Sequence, residues 1–92
     1  MRYTVISDYC GTGEGRTVTV YYVMAETEED AMKSFKLMTY GGDFFCLCAE
    51  VTEGWDFDSA YARLLISPGV QKQLEDPLCH QSFTATIHFN YS

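Results

Sequence analysis

Four cysteines and two histidines have the widest chemical range of any side chains in this 92-residue chain. Cys46-x-Cys48 aims two thiols at one face of an extended strand, and Cys79-His80 would complete a four-ligand zinc set if its loop folded over that face. Zinc sites usually separate paired cysteines by about two to four residues, and inside an apolar strand cysteine packs as a small hydrophobe. No metal or cofactor is therefore expected. Cys79 beside His80 has the composition of an activated thiol, yet sequence neighbours in a turn seldom face one another and no second base is evident. His88 falls on the polar side of a strand, where a solvated imidazole is the ordinary state. Asp56 and Asp58 are spaced for helix capping, without a calcium-loop pattern after them. The run Gly11-Thr12-Gly13-Glu14-Gly15 would cradle a phosphate only if it opened a helix, and a strand follows it. A convergent nucleophile, base and anion-binding loop is missing from the sequence, so the chain reads as a non-enzyme.

The elements that carry these residues follow from periodicity. Residues 2–10 and 16–25 are rich in β-branched and aromatic types on either side of the glycine run, which predicts a hairpin. At Thr27 the period lengthens. Thr27 reads as an N-cap, Glu28, Glu29 and Asp30 fill the first turn, and Ala31, Phe35 and Met38 form an apolar stripe widened by Met32. A helix is expected over about 28–39, stopped at Gly41-Gly42. Residues 44–51 are apolar on both pleat faces and predict a central strand. A right-handed crossover then sets this strand beside the first and parallel to the second, in the order 2-1-3. Asp56 or Asp58 caps a helix carrying Ala60, Tyr61, Leu64 and Leu65. Pro68 opens a short helix through Val70 and Leu74, ended at Asp76-Pro77. Residues 82–91 alternate Phe83, Ala85, Ile87, Phe89 and Tyr91 with polar partners, which predicts a strand with one wet face whose place in the sheet stays open.

The fold class that results is α+β, ββαβα(α)β, in one domain over residues 1–92. An antiparallel or mixed sheet of about four strands is expected, with helices mainly on one face. Apolar residues at 47% exclude a disordered chain in spite of a net charge of −7. Thirteen acids against six bases repel phosphates, so nucleic acid is not an expected ligand, whereas a basic protein surface is. No apolar run approaches the ~20 residues that span a bilayer. The N-terminus reads as a strand instead of a secretion signal, which predicts a cytoplasmic protein with reduced thiols.

Tyr21-Tyr22 and Phe44-Phe45 must each place one ring on either side of the sheet. If Tyr3, Tyr21, Phe44 and the Cys46/Cys48 side stay uncovered, they form an interface or a homodimer seam. The alternative is that the last helices wrap onto that face.

A short, acidic, solitary α+β domain whose strand runs into Ala25-Glu26-Thr27-Glu28-Glu29-Asp30-Ala31 resembles, in type, the small phage-encoded inhibitors of bacterial defence, notably the anti-CRISPR proteins. The resemblance covers size, charge and that helix start. It implies a protein-binding inhibitor in the host-cell cytoplasm that blocks a nucleic-acid-binding partner, such as a CRISPR effector complex. The acids expected to meet such a partner are Glu26, Glu28, Glu29 and Asp30 with Glu53, Asp56 and Asp58. Trp55, Phe57 and Tyr21 are the expected aromatic anchors. A structural module that homodimerises through its sheet, and a metal-binding Cys/His domain, are the other readings.

Overall fold

A computed structural model describes residues 1–10, 15–40, 49–79 and 81–90. The elements run β1 (Arg2–Cys10), β2 (Gly15–Met24), α1 (Glu28–Tyr40), β3 (Ala49–Glu53), α2 (Ala60–Leu65), α3 (Pro68–Glu75) and β4 (Phe83–Asn90). The strands form one antiparallel sheet in the order β3-β1-β2-β4, so the fold is α+β as composition and periodicity predict. β3 lies beside β1 and runs in the direction of β2, the 2-1-3 arrangement expected from the crossover. β4 occupies the position that the sequence left open, against β2, in an unbroken ladder from Tyr22 opposite Phe83 to Gly15 opposite Asn90. No helix among the described residues is long and apolar enough to cross a membrane.

The expectation of a central third strand needs correction. Among the described residues β3 is an edge strand, and its Glu50, Thr52 and Glu53 are exposed. Residues 44–48, whose two-sided apolarity suggested a central position, lie outside the described residues, as do the 11–14 connector and Gly41-Gly42.

Local chemistry explains the helix boundaries. Thr27 caps α1: its Oγ1 accepts the Asp30 N–H at 3.1 Å and its carbonyl accepts the Ala31 N–H at 3.1 Å. The three acids of the first turn complement the positive end of the helix dipole. Ser59, not Asp56 or Asp58, caps α2, accepting from Ala62 N–H at 3.2 Å. Ser67 caps α3, with Pro68 in its first turn as expected.

Helices cover both faces, which corrects the expectation that they gather mainly on one. Strand alternation sends Tyr3, Val5, Tyr21 and Val23 to one side, where Ala31 and Phe35 of α1 meet them. On the other side Val20 and Tyr22 pack with Ile66 and Leu74, flanked by Trp55, Phe57, Tyr61 and Val70. The adjacent pair Tyr21-Tyr22 thus supplies one ring to each core, and the two residues are 5% and 0% exposed. The bare, tyrosine-rich face does not form at Tyr3 and Tyr21, because α1 lies over them. Phe44, Cys46 and Cys48 lie outside the described residues.

Gly54 lets the chain change sides. Its φ of +88° reverses the backbone directly after β3, and its N–H donates to the Arg2 carbonyl at 2.7 Å. Trp55 and Phe57 are thereby delivered beneath the sheet, onto Tyr22. A Cβ at Gly54 would meet nothing within 4 Å, so Gly54→Ala tests the backbone conformation alone. It is expected to lower stability by about 1–2 kcal/mol, read from the urea midpoint. An unchanged midpoint would show that the turn does not need positive φ.

Candidate functional site

The acids divide between two places, and the division differs from their order in sequence. Glu53 closes β3 directly opposite Tyr3 on β1, on the face that α1 covers. Tyr3 is buried there, and Glu53, Glu28 and Asp30 lie near enough for their charge to reach its phenol. Burial raises the phenol pKa most, and the three carboxylates raise it further, in that order. Strand end and helix start, separated by more than twenty positions in the chain, therefore form one acidic edge around a buried tyrosine. Glu26 and Glu29 lie exposed beside it. Met1 seals the rim: its ammonium donates to the Ala25 carbonyl at 3.0 Å, and the Tyr3 hydroxyl lies 3.6 Å from its sulfur.

Between α1 and β3 this edge opens into a groove of about 610 Å³ lined by Glu28, Glu29, Met32, Lys33, Lys36 and Val51. Its floor is apolar, from Met32 and Val51. The charges are segregated along the helix, carboxylates at the N-terminal end and lysines one to two turns on. A cation or a basic side chain is favoured at the first end only.

Asp56 and Asp58 sit on the opposite side of the sheet. Asp56 is half-buried and held by the fold: its Oδ1 accepts from the Asp58 N–H at 3.0 Å and the Ser59 N–H at 3.2 Å, closing the turn into α2. Its own N–H donates to Thr4 Oγ1 at 2.9 Å, and Thr4 Oγ1 donates to the Gly54 carbonyl at 2.8 Å. The Asp56 carbonyl accepts from the Tyr22 hydroxyl at 2.8 Å. Of this pair only Asp58 is presented to solvent.

The three aromatics expected as partner anchors all have packing roles, Tyr21 as a buried residue and Trp55 and Phe57 as half-buried ones. Tyr21 is buried under α1, its ring 6.0 Å from Phe35 and its hydroxyl 3.0 Å from Ser34 Oγ. Trp55 meets Tyr22 edge to face at 5.5 Å and donates Nε1–H to the Leu74 carbonyl at 2.7 Å. The Phe57 ring lies 5.2 Å from that of Tyr22, tilted by 34°. Arg2 stacks its guanidinium 5.2 Å from the Trp55 ring centre and donates to the Asp76 carbonyl at 3.2 Å, fastening β1 to the end of α3. Sequence reasoning missed this network. Its only signal was that Thr4 and Tyr22 point to one face, as alternation requires.

The Tyr22 phenol is pushed up to about 12, first by burial and then by Asp56. Because the folded pKa lies above the ordinary value of 10, the stability linked to this proton is fully present below pH 10. It is lost as pH rises through about 12. Tyr22→Phe should make the fall of the urea midpoint across this window shallower. An equally steep fall would remove Tyr22 as its source.

Other candidate chemistry is sparse. Among the described residues no group of three or more His, Cys, Asp or Glu side chains is placed to hold a metal; Cys46, Cys48 and His80 lie outside them. Cys79 is a half-buried thiol at a small pocket with Val70, Leu74 and Phe83. His88 Nδ1 pairs with Thr17 Oγ1 at 2.9 Å on the exposed side of β4. Tyr61 donates to Asp8 Oδ2 at 2.9 Å. Comparison with protein families, curated proteins and solved structures finds no match to this chain in any of the three.

Proposed function

We propose that this chain is a non-enzymatic protein-binding inhibitor that sets its acidic edge against the basic, nucleic-acid-binding surface of another protein, in the manner of the anti-CRISPR type it resembles. The observation that supports the reading is the grouping of exposed acids from two elements, Glu53 at the end of β3 opposite Tyr3 and Glu28 and Asp30 in the first turn of α1, all acting on the Tyr3 phenol, with Glu26 and Glu29 beside them. Carboxylates drawn from a capped helix and a paired strand are grouped before association, so no backbone ordering is needed to bring their charges together. Lysine and arginine side chains that grip phosphates would meet oxygen acceptors of the same sign in the same region. The proposed setting is the cytoplasm of a bacterial host, and a CRISPR effector complex is the proposed partner class.

The test is capture from a bacterial lysate with the immobilised chain and with a Glu28→Lys/Asp30→Lys/Glu53→Lys variant. A partner retained by the first, lost from the second and displaced by added nucleic acid is the expected result. A partner held equally by both, or one that binds nucleic acid and this chain together, overturns the reading.

A further inference from the structure

We propose that the chain self-associates through β4, two copies pairing antiparallel about a two-fold axis at Thr86, so that two four-stranded sheets join into one of eight strands. Exposed strand edges are aggregation-prone, and proteins blunt them with charge, proline or bulges. The two edges of this sheet are treated differently. β3 carries Glu50 and Glu53. β4, with the sequence FTATIHFN, has no Asp, Glu, Lys, Arg or Pro in a chain holding nineteen charged residues, and its ladder to β2 runs through eight consecutive pairs without a bulge. Among the described residues β4 is the last strand of the sheet.

The faces of β4 also suit a second copy. Thr84, Thr86 and His88 are exposed on the face shared with Thr17 and Thr19, and Thr86 Oγ1 lies 3.1 Å from Thr19 Oγ1. Phe83, Ala85, Ile87 and Phe89 point the other way and are only half-buried; Phe83 and Ala85 already border the Tyr22 core. Directly opposed residues in an antiparallel pair share a face, and a slip of one residue would set polar against apolar. With Thr86 opposite its own copy, Phe83 meets the partner's Phe89, Ala85 the partner's Ile87, and Thr84 the partner's His88. The two apolar rows then run on from one core to the next.

Charge limits where two copies can meet. Two chains of net charge −7 repel one another, and the acidic edge lies at the β3 side, across the sheet from β4. Approach at β4 keeps those carboxylates farthest apart. A single strand pair is smaller than the about 1,200 Å² of a standard interface, so the association should be weak and concentration-dependent. It does not depend on the acidic edge binding any partner.

Two double variants at the same positions separate pairing from folding. Thr84→Lys/His88→Glu sets opposite charges across the seam in this register, whereas Thr84→Glu/His88→Glu sets like charges there. Both lose the Thr17–His88 contact equally. Sedimentation equilibrium under reductant, which excludes disulfide-linked dimers, should show the parent mass rising with concentration from 10.5 kDa toward twice that value. The Lys/Glu variant should dimerise at least about tenfold more tightly than the Glu/Glu variant, at moderate salt and with matching circular dichroism. A parent that stays monomeric up to about millimolar concentration, or two variants of equal dimer affinity, would overturn the proposal. If the Glu/Glu variant fails to fold, Thr86→Lys, which opposes two lysines at the axis, replaces it with the same expected loss.

Discussion

Phe35→Ala is expected to lower the unfolding free energy by about 3–5 kcal/mol, much of what a domain of this size has. Phe35 is fully buried at the centre of the contact between α1 and the sheet, among Tyr3, Val5, Tyr21 and Val23. The helix is thirteen residues long, about the length at which an isolated helix is marginal, so packing of its apolar stripe must hold it in place. Removing the ring takes away the transfer free energy of burial. It also leaves a cavity against the Tyr21 ring, which cannot swing in to fill it while its hydroxyl is engaged by Ser34. Leu37, on the same helix but 61% exposed, provides the control, and Leu37→Ala should change stability by less than about 0.5 kcal/mol. Urea denaturation followed by far-ultraviolet circular dichroism compares the two. If both substitutions fall within 1 kcal/mol of the parent, α1 is not anchored through Phe35.

Charge reversal of the acidic edge carries the second large effect. With a basic partner identified, Glu28→Lys/Asp30→Lys/Glu53→Lys should slow association by about ten- to a hundredfold at low ionic strength, because steering by a concentrated charge patch acts on the encounter rate. The difference should shrink as salt rises toward about 1 M, where the Debye length falls to ~3 Å. Two of the three acids also support the positive end of α1, so their reversal carries a separate stability cost of roughly 0.3–1 kcal/mol each. Stopped-flow rates must therefore be compared at temperatures where both proteins are folded. Asp58→Lys, on the other side of the sheet, should affect the rate much less. Equal slowing by Asp58→Lys and by the triple variant would mean that only net charge matters and that the edge is not the site.

The acids show how far sequence reading reaches. Glu28, Glu29 and Asp30 were legible because a helix start has its own local grammar, and Thr27 does cap it. Asp56 and Asp58 were legible as turn residues, but the cap belonged to Ser59, since several oxygen-bearing residues in succession compete for the same amides. Grouping Glu53 with Asp56 and Asp58 followed chain order. Gly54 breaks that order by turning the backbone through the sheet edge, so Glu53 stays with α1 while Asp56 passes to the opposite face.

The aromatic residues make the same point about packing. Alternation required Tyr21 and Tyr22 to point to opposite sides, and they do. Whether either ring would be bare depended on where α1, α2 and α3 came to rest, and no local pattern encodes that. Trp55 and Phe57, large, apolar and close to acids, pack half-buried against Tyr22, a contact that no local pattern announces.

From the sequence alone came the strands of the hairpin, the extent of α1, the helical turns after Ser59 and Ser67, the alternation of β4 and the 2-1-3 order. Each depends on contacts within a few residues, or on the handedness of a single crossover, which act before the chain has closed. The tertiary structure decided that β3 and β4 are the two edges among the described residues, that helices cover both faces, that Glu53 joins the start of α1 and that Trp55 is packed against Arg2. Those outcomes depend on which apolar surfaces find one another once the sheet exists, and burial of surface is non-directional, so sequence distance does not reveal it.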